Sequence, residues 1–150
     1  MRFLLTALVP LLLTPGLAGC GESPEDVRAD YCEQVAEQQV ELTELMAQEG
    51  PDTLLRARSV LGELAEEAPR DIADEWDRLL DALDGLGTAL DAAGVDASTY
   101  DADQPPKGVT EDQQQAIARA ADELAARETV AAWEGVKQHA KDVCQTPLYQ

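Results

Sequence analysis

After residue 23, apolar residues recur every three or four positions, which is typical of amphipathic helices, and no run alternates as a strand would. Ser23-Pro24 is a strong helix start, and Gly50-Pro51 ends that run. Asp52 can cap a second helix that stops at Pro69. The predicted inward residues are Val27, Tyr31, Val35, Leu42 and Leu45 in the first helix, and Leu54, Leu61, Leu64 and Ala68 in the second.

The third predicted helix has the most regular spacing and ends at Gly94, which fits a C-cap. Its inward positions follow a 4-3-4-3-4-3 pattern, which is typical of a bundle: Ile72, Trp76, Leu79, Leu83, Leu86, Leu90 and Ala93. The opposite side carries Asp74, Asp77, Asp81 and Asp84. We interpret these carboxylates as a solvated face, since general acid–base catalysis requires a partly dry cleft.

Residues 94–110 are the longest irregular stretch, and Thr110 to Gln113 then form a capping box. The inward residues that follow are Ile117, Ala121 and Leu124, then Val130, Trp133, Val136 or Lys137, Ala140 and Cys144. The step of six from Leu124 to Val130 does not fit a straight helix. The sequence therefore predicts an all-α antiparallel bundle of four to five helices over residues 24–150, with the last helix broken near 127–129.

The first nineteen residues have the layout of a signal peptide. Arg2 supplies a short positive region, and residues 3–13 form an apolar run that is too short to span a bilayer as a helix. Thr14-Pro15-Gly16 interrupts this run ahead of the small residues Ala18 and Gly19. We therefore expect export through the cytoplasmic membrane and removal of residues 1–19.

Leu17-Ala18-Gly19-Cys20 resembles the lipobox of bacterial lipoproteins. The resemblance implies that Cys20 receives a diacylglyceryl thioether and becomes the new N-terminus, with residues 20–23 as lipid anchor and short tether. Two acyl chains, such as palmitate, suffice for stable anchoring, here on the outer face of the bacterial cytoplasmic membrane. The alternative is an ordinary secretory signal in which Cys20 merely follows the cut.

The chain has three cysteines, and a lipidated Cys20 leaves Cys32 and Cys144. An even number of cysteines outside the cytoplasm favours a disulfide, which here would clip the two ends of the bundle. Such a long closed loop is worth on the order of 4–5 kcal/mol in the chain-entropy description. The alternative is a pair of buried free thiols, whereas a cysteine metal site would need further nearby ligands.

The net charge restricts the classes of partner that the protein can bind. The chain has 30 acidic and 11 basic residues, which give a formal charge of −19. This balance argues against nucleic-acid binding, and it requires any partner that binds by charge to be cationic. The single histidine, His139, is expected at the surface or the boundary, since no nucleophile motif accompanies it. Trp76 and Trp133 fall on inward positions and are expected to anchor the core rather than to line a ligand site.

The loop 94–110 holds the remaining candidate residues. Asp101 and Asp103 are weak calcium candidates, because the EF-hand pattern places Pro105 and Pro106 where an oxygen ligand and a glycine are needed. We favour a solvated loop and expect no metal and no cofactor. Tyr100 either contacts a partner or folds back over the core. The possible partner-binding residues are Tyr100, Asp101, Asp103 and Lys107.

Three segments together resemble the small secreted lipoproteins of actinobacteria: the lipobox, Asp30-Tyr31-Cys32, and residues 142–147. The resemblance implies an envelope location and a helical domain, and it supplies no active-site residues. Our hypothesis is a lipid-anchored, extracytoplasmic, non-enzymatic interaction or accessory module, whose partner is an envelope protein or a cationic ligand. The alternative is a small-ligand or cation-binding lipoprotein with a pocket between helices. The tether Gly21-Glu22 would then hold the bridged end near the bilayer and place loop 94–110 at the far end.

Overall fold

A computed structural model describes residues 23–150, so the predicted signal peptide (1–19), Cys20 and the tether Gly21-Glu22 lie outside the described residues. Over residues 23–150 the chain forms five α-helices and no strand, which confirms the all-α class. The helices are α1 (Pro24–Ala47), α2 (Thr53–Glu66), α3 (Ala73–Ala93), α4 (Glu111–Leu124) and α5 (Arg127–Val143). None of these five has the length and apolarity that a bilayer-spanning helix needs.

The predicted helix ends are fixed by local hydrogen bonds. At α1, Ser23 Oγ accepts from the Asp26 amide at 3.2 Å, and the Asp26 carboxylate accepts from the Ser23 amide at 3.3 Å. Thr110 and Gln113 make the same reciprocal pair at α4, at 3.2 and 2.9 Å. Asp52 does occupy the N-cap of α2, but its carboxylate pairs with the Arg56 guanidinium instead of a backbone amide.

The apolar stripe of α3 lies at the centre of the bundle. Helix α3 packs against α2, α4 and α5, and α1 packs against α2. Five residues of the predicted stripe are buried, namely Ile72, Trp76, Leu79, Leu83 and Leu90. The remaining two, Leu86 and Ala93, are only half-buried. The predicted antiparallel bundle is therefore confirmed. The neighbouring helices do not cover the stripe completely at the C-terminal end of α3.

The predicted break in the last helix is present, and it lies at Ala125-Ala126, just ahead of the expected position. The Thr129 hydroxyl donates to the Glu123 carbonyl at 2.8 Å, so the carbonyl freed by the break has a partner. The buried residues of α5 are Thr129, Ala132, Val136 and Ala140, so the predicted inward places of Val136 and Ala140 are confirmed. The predicted inward place of Val130 is wrong, since its side chain is 48% exposed.

Helix α5 approaches α3 closely at Gly135. A Cβ atom at this position would lie 3.3 Å from Glu75 Cγ, which is tighter than ordinary van der Waals contact. The absent side chain therefore lets the backbone of α5 settle onto the first turns of α3. This contact places Val136 and Ala140 of α5 in the core.

Cys32 and Cys144 form a disulfide, as the cysteine count predicted, with their Cα atoms 5.0 Å apart and a sequence separation of 112. The bridge joins the third turn of α1 to the C-cap of α5. The C-terminal tail continues along α1, where the Gln39 amide donates to the Pro147 carbonyl at 2.6 Å and the Gln150 backbone amide donates to Thr43 Oγ1 at 3.0 Å. The first helix and the last are thus joined covalently and by polar contacts.

Removing the bridge is expected to lower the free energy of unfolding by about 4 kcal/mol, because the unfolded chain regains the entropy that the long loop withholds. Urea unfolding of a Cys32→Ser, Cys144→Ser double variant measures this loss. Reductant should destabilise the wild type by a similar amount and leave the double variant unchanged. Equal midpoints for the wild type with and without reductant would contradict the structural role of the bridge.

Candidate functional site

An open groove of about 480 Å³ lies between α3, α4 and the 94–110 loop. Its apolar floor is formed by Leu55 of α2, by Leu86 and Leu90 of α3, and by Ile117 of α4. Its rim is formed by Pro51, Ala97, Tyr100, Ala102, Glu111, Gln114, Gln115, Ala118 and Ala121. Most of the lining is therefore hydrocarbon, with polar groups confined to one loop tyrosine and the first turns of α4.

The groove stays open because α4 presents small side chains on this side. Ile117 is buried against α3, but Ala118 and Ala121 stay exposed along the groove. The predicted inward place of Ala121 is thus wrong. A methyl group cannot reach across to α3 as a leucine would, and only the 94–110 loop lies on that side. The exposed part of the α3 stripe is therefore Leu86 and its neighbours.

Two side-chain amides of α4 fix the connection between α3 and α4, one on the last turn of α3 and one on the end of the 94–110 loop. Gln113 Nε2 donates to the Ala92 carbonyl at 2.9 Å, and Gln114 Nε2 donates to the Val109 carbonyl at 3.1 Å. Within the loop, the Tyr100 amide donates to the Asp96 carbonyl at 2.9 Å. Tyr100 is half-buried and lines the groove together with Pro51. The α1–α2 turn and this loop therefore lie at the same end of the bundle.

The other candidate residues of the loop do not line the groove. Asp101, Asp103 and Lys107 are exposed. The Asp101 carboxylate accepts a hydrogen bond from the Asp103 amide at 2.9 Å, so it stabilises the local turn. Across residues 23–150, no three His, Cys, Asp or Glu side chains are grouped as a metal site would require. Of the four predicted partner-loop residues, the structure places only Tyr100 at the groove.

A polar depression of about 940 Å³ continues from the groove across Leu55, Leu90 and Ala97, which line both. Two ion pairs lie in it. Arg58 donates to both oxygens of Asp84 at 2.6 and 2.8 Å, and Arg56 pairs with Asp52. These hydrogen bonds lower the pKa of Asp84 and raise that of Arg58. Both arginines are thus neutralised by neighbouring carboxylates.

Three further acids around the groove have no basic partner among the ion pairs of residues 23–150. Asp91 and Asp96 border the polar depression, and Glu111 lines the groove. The Asp96 carboxylate accepts hydrogen bonds from the hydroxyl and the amide of Ser98, which lower its pKa and keep it ionised. The last turn of α3 carries no basic residue, so its negative dipole end is uncompensated. The groove therefore has an apolar floor and a negative border.

A second polar cluster lies inside the bundle, beside the disulfide. Trp76 Nε1 donates to the buried Tyr31 hydroxyl at 3.3 Å, and the His139 ring meets Tyr31 edge-on with centroids 5.6 Å apart. The His139 side chain is only 9% exposed, and its ring nitrogens are buried with no hydrogen-bond partner in the described part of the chain. Asp71 Oδ2 is 3.6 Å from His139 Nε2. Sequence alone predicted the boundary position of His139 but not this cluster.

The two tryptophans differ in their environment. Trp76 is 1% exposed and anchors the core, as predicted. Trp133 is only half-buried; it stacks on Tyr149 with ring centroids 6.0 Å apart, and Lys137 Nζ lies 5.8 Å from its ring centre. Its predicted role as a core anchor is therefore corrected, since it covers the edge of the bundle under the C-terminal tail.

No protein-family model, curated protein or solved structure matches the chain. The interpretation of the groove therefore rests on its own geometry. The periodicity of α3 identified Leu86 and Leu90 as inward, but Leu55 of α2 was not among the predicted inward residues. Nothing in the pattern showed which of the inward residues would stay uncovered. The alanines at 118 and 121, on the face of α4 that meets α3, are the one signal that could have indicated an opening.

Tyr31 generates a pH-dependent stability, because burial raises its pKa from 10.0 to about 12. The folded state favours the neutral phenol, so this stabilisation is complete below pH 10.0 and is lost as the pH rises toward about 12. The expected loss is on the order of 2 kcal/mol.

Urea unfolding at about pH 8 and about pH 11 tests this, comparing the wild type with Tyr31→Phe and Tyr149→Phe. Tyr31→Phe is expected to be less stable at the lower pH by about 1 kcal/mol, since Trp76 Nε1 loses its acceptor. It should then lose less stability than the wild type at the higher pH, while Tyr149→Phe follows the wild type. Parallel declines in all three proteins would refute the assignment to Tyr31.

Proposed function

We propose that the protein is a lipid-anchored, extracytoplasmic, non-enzymatic module of the bacterial envelope that engages its partner through the groove between α3, α4 and the 94–110 loop. The observation that carries this proposal is the apolar groove itself. Leu55 and Leu86 are only half-buried there, beside the buried Leu90 and Ile117. Leaving this apolar surface open to solvent is unfavourable unless something covers it, and such surfaces commonly mark binding sites.

The position of the groove is consistent with an anchor on Cys20. Helix α1 begins at Pro24, four residues after the proposed anchor, and its 24 residues span about 36 Å. The turn that follows α1 supplies Pro51 to the groove. The groove therefore lies at the opposite end of α1 from the proposed lipid, where it would face away from the membrane.

The chemistry of the lining supports binding rather than catalysis. The ionisable side chains that line the groove are those of Tyr100 and Glu111, and Glu111 is exposed to solvent. Neither is paired with a second group that could act as nucleophile or general base within the lining. A surface of hydrocarbon with two glutamines at its rim can hold a ligand, but it offers no arrangement for moving a proton or forming a bond.

A small-ligand-binding lipoprotein is the second candidate, and the size of the groove favours it. A volume of about 480 Å³ lies in the range of small-molecule sites, which are mostly apolar with a few polar groups that fix orientation. Gln114 and Gln115 could supply such groups at the rim. The two candidates share the groove and differ in what fills it.

The anchor is tested by mass spectrometry of the protein isolated from cells that export it. We expect an N-terminus at Cys20 that carries the mass of a diacylglyceryl group, and recovery with the membrane fraction. A Cys20→Ala variant should lose both the lipid and the membrane association. An unmodified N-terminus, or wild-type protein found only in the medium, would overturn the envelope-anchored proposal.

The groove is tested by site-specific photo-crosslinking in intact cells. A photoreactive phenylalanine analogue replaces Ala118 in the groove, and a control protein carries it at Ala36, which is exposed on α1. A discrete protein adduct at position 118 and not at 36 supports the interaction module. A small-molecule adduct with the same preference supports the ligand-binding candidate instead. Identical adducts at both positions, or none at 118, would contradict a function for the groove.

A further inference from the structure

We propose that the occupant of the groove is an amphiphilic organic cation, with a hydrocarbon body on the leucine floor and a positively charged ammonium head at the acidic border. This inference rests on the proposed function, since it names the chemistry of the ligand for the same groove. The two parts of the ligand correspond to the two parts of the site: the apolar groove and the polar depression that joins it at Leu90 and Ala97.

The apolar part follows from the floor of the groove. Leu86 is half-exposed although it belongs to the inward stripe of α3, and Leu55 and Ile117 border it from α2 and α4. Covering this hydrocarbon with an alkyl chain removes apolar surface from water on both partners, which favours binding. A purely polar ligand would leave the apolar floor exposed to water, so contact with the floor would not contribute to its binding.

The cationic head follows from the charges at the border. Asp52 and Asp84 are each paired with an arginine, so they do not set the net sign of the border. Asp91, Asp96 and Glu111 have no such partner in residues 23–150. The carbonyl end of α3 adds further negative potential at the same place, with no basic side chain in its last turn. An anionic head would be repelled there, whereas an ammonium group is attracted.

The size of the groove favours a small molecule over a helix of a partner protein. The groove offers about 480 Å³, which lies in the range of sites that hold small molecules. Pro51 and Tyr100 limit its extent at the loop end. A single alkyl chain with a compact head fits this space without displacing the loop.

The probe is octyltrimethylammonium, with octanesulfonate and tetramethylammonium as matched ligands that reverse the head charge or lack the chain. Each is titrated by calorimetry into the exported protein, which is held in phosphatidylcholine nanodiscs if it is lipidated and free in buffer if it is not, with empty nanodiscs or buffer as the blank. We expect saturable binding of octyltrimethylammonium at one site. Octanesulfonate and tetramethylammonium should bind at least on the order of tenfold more weakly, because each lacks one of the two contributions.

Two pairs of variants separate the contributions. Ala118→Trp fills the groove and should weaken binding about tenfold or more, whereas Ala36→Trp on the exposed side of α1 should not change it. Asp91→Asn removes a border charge and should weaken binding several-fold at low salt, with the effect fading at about 500 mM salt. Asp81→Asn, on the same helix but outside the groove lining and the polar depression, is its matched control.

Equal binding of octyltrimethylammonium and octanesulfonate would overturn the cationic assignment. Binding that persists in Ala118→Trp would overturn the assignment to the groove, and the absence of binding by all three probes would overturn both. A protein adduct at Ala118 with no octyltrimethylammonium binding would refute the small cation and leave the interaction module standing. An unlipidated N-terminus with intact cation binding would refute the envelope anchor and leave this inference standing.

Discussion

The constraint on which the bundle depends is the apolar stripe of α3, which has to be covered by helices that are poor in large side chains. Aromatic residues make up 4% of the sequence, so leucine, valine and alanine do most of the covering. Helix α2 and the first half of α5 seal the N-terminal part of the stripe, where Trp76 and Leu79 are 1% exposed. Helix α4 brings Ile117 and then alanines, and the C-terminal part of the stripe stays open. The groove is thus a direct consequence of which residues cover α3.

The disulfide and the C-terminal tail compensate for a topology in which the first and last helices meet only locally. Helix α1 packs on α2, and it reaches α5 where Cys32 bonds to Cys144. Leu148 is 2% exposed and buries the tail against this same region. The space next to the bridge is filled by the cluster of Tyr31, Trp76 and His139. Its buried polar groups are not all hydrogen-bonded, and the disulfide limits local opening of the bundle at this place. The groove end, by contrast, is held by side-chain amides of Gln113 and Gln114, which are individually weaker constraints.

Periodicity and capping residues predicted the helices well, because both depend on interactions within a few residues. Ser23 and Thr110 begin their helices and Gly94 ends its helix where the sequence indicated. The 4-3 spacing identified Trp76 and Leu83 as core. The errors arose where the outcome depends on tertiary neighbours. Val130 is exposed because Thr129 takes the inward position in the first turn of α5, where its hydroxyl donates to the Glu123 carbonyl, whereas Val136 and Ala140 are buried as predicted. Ala121 and Leu86 have an inward phase, but no side chain of a neighbouring helix covers them fully. The pattern of one helix carries no information about the size of the side chains on the helix that packs against it.

The distribution of charge connects the two ends of the molecule. With a formal charge of −19, the domain is repelled by an anionic lipid surface. An anchor at one end of α1 would therefore hold that end near the bilayer, while the charge would keep the other end of the bundle away from it. The same charge raises the local concentration of cations around the whole surface, without distinguishing one position from another. Selectivity therefore has to come from shape, and the α3–α4 groove is the place where unpaired acids such as Asp91 and Glu111 adjoin open hydrocarbon. Attraction by charge and retention by apolar contact would then act on the ligand that we propose, at the end of the bundle that lies away from the proposed anchor.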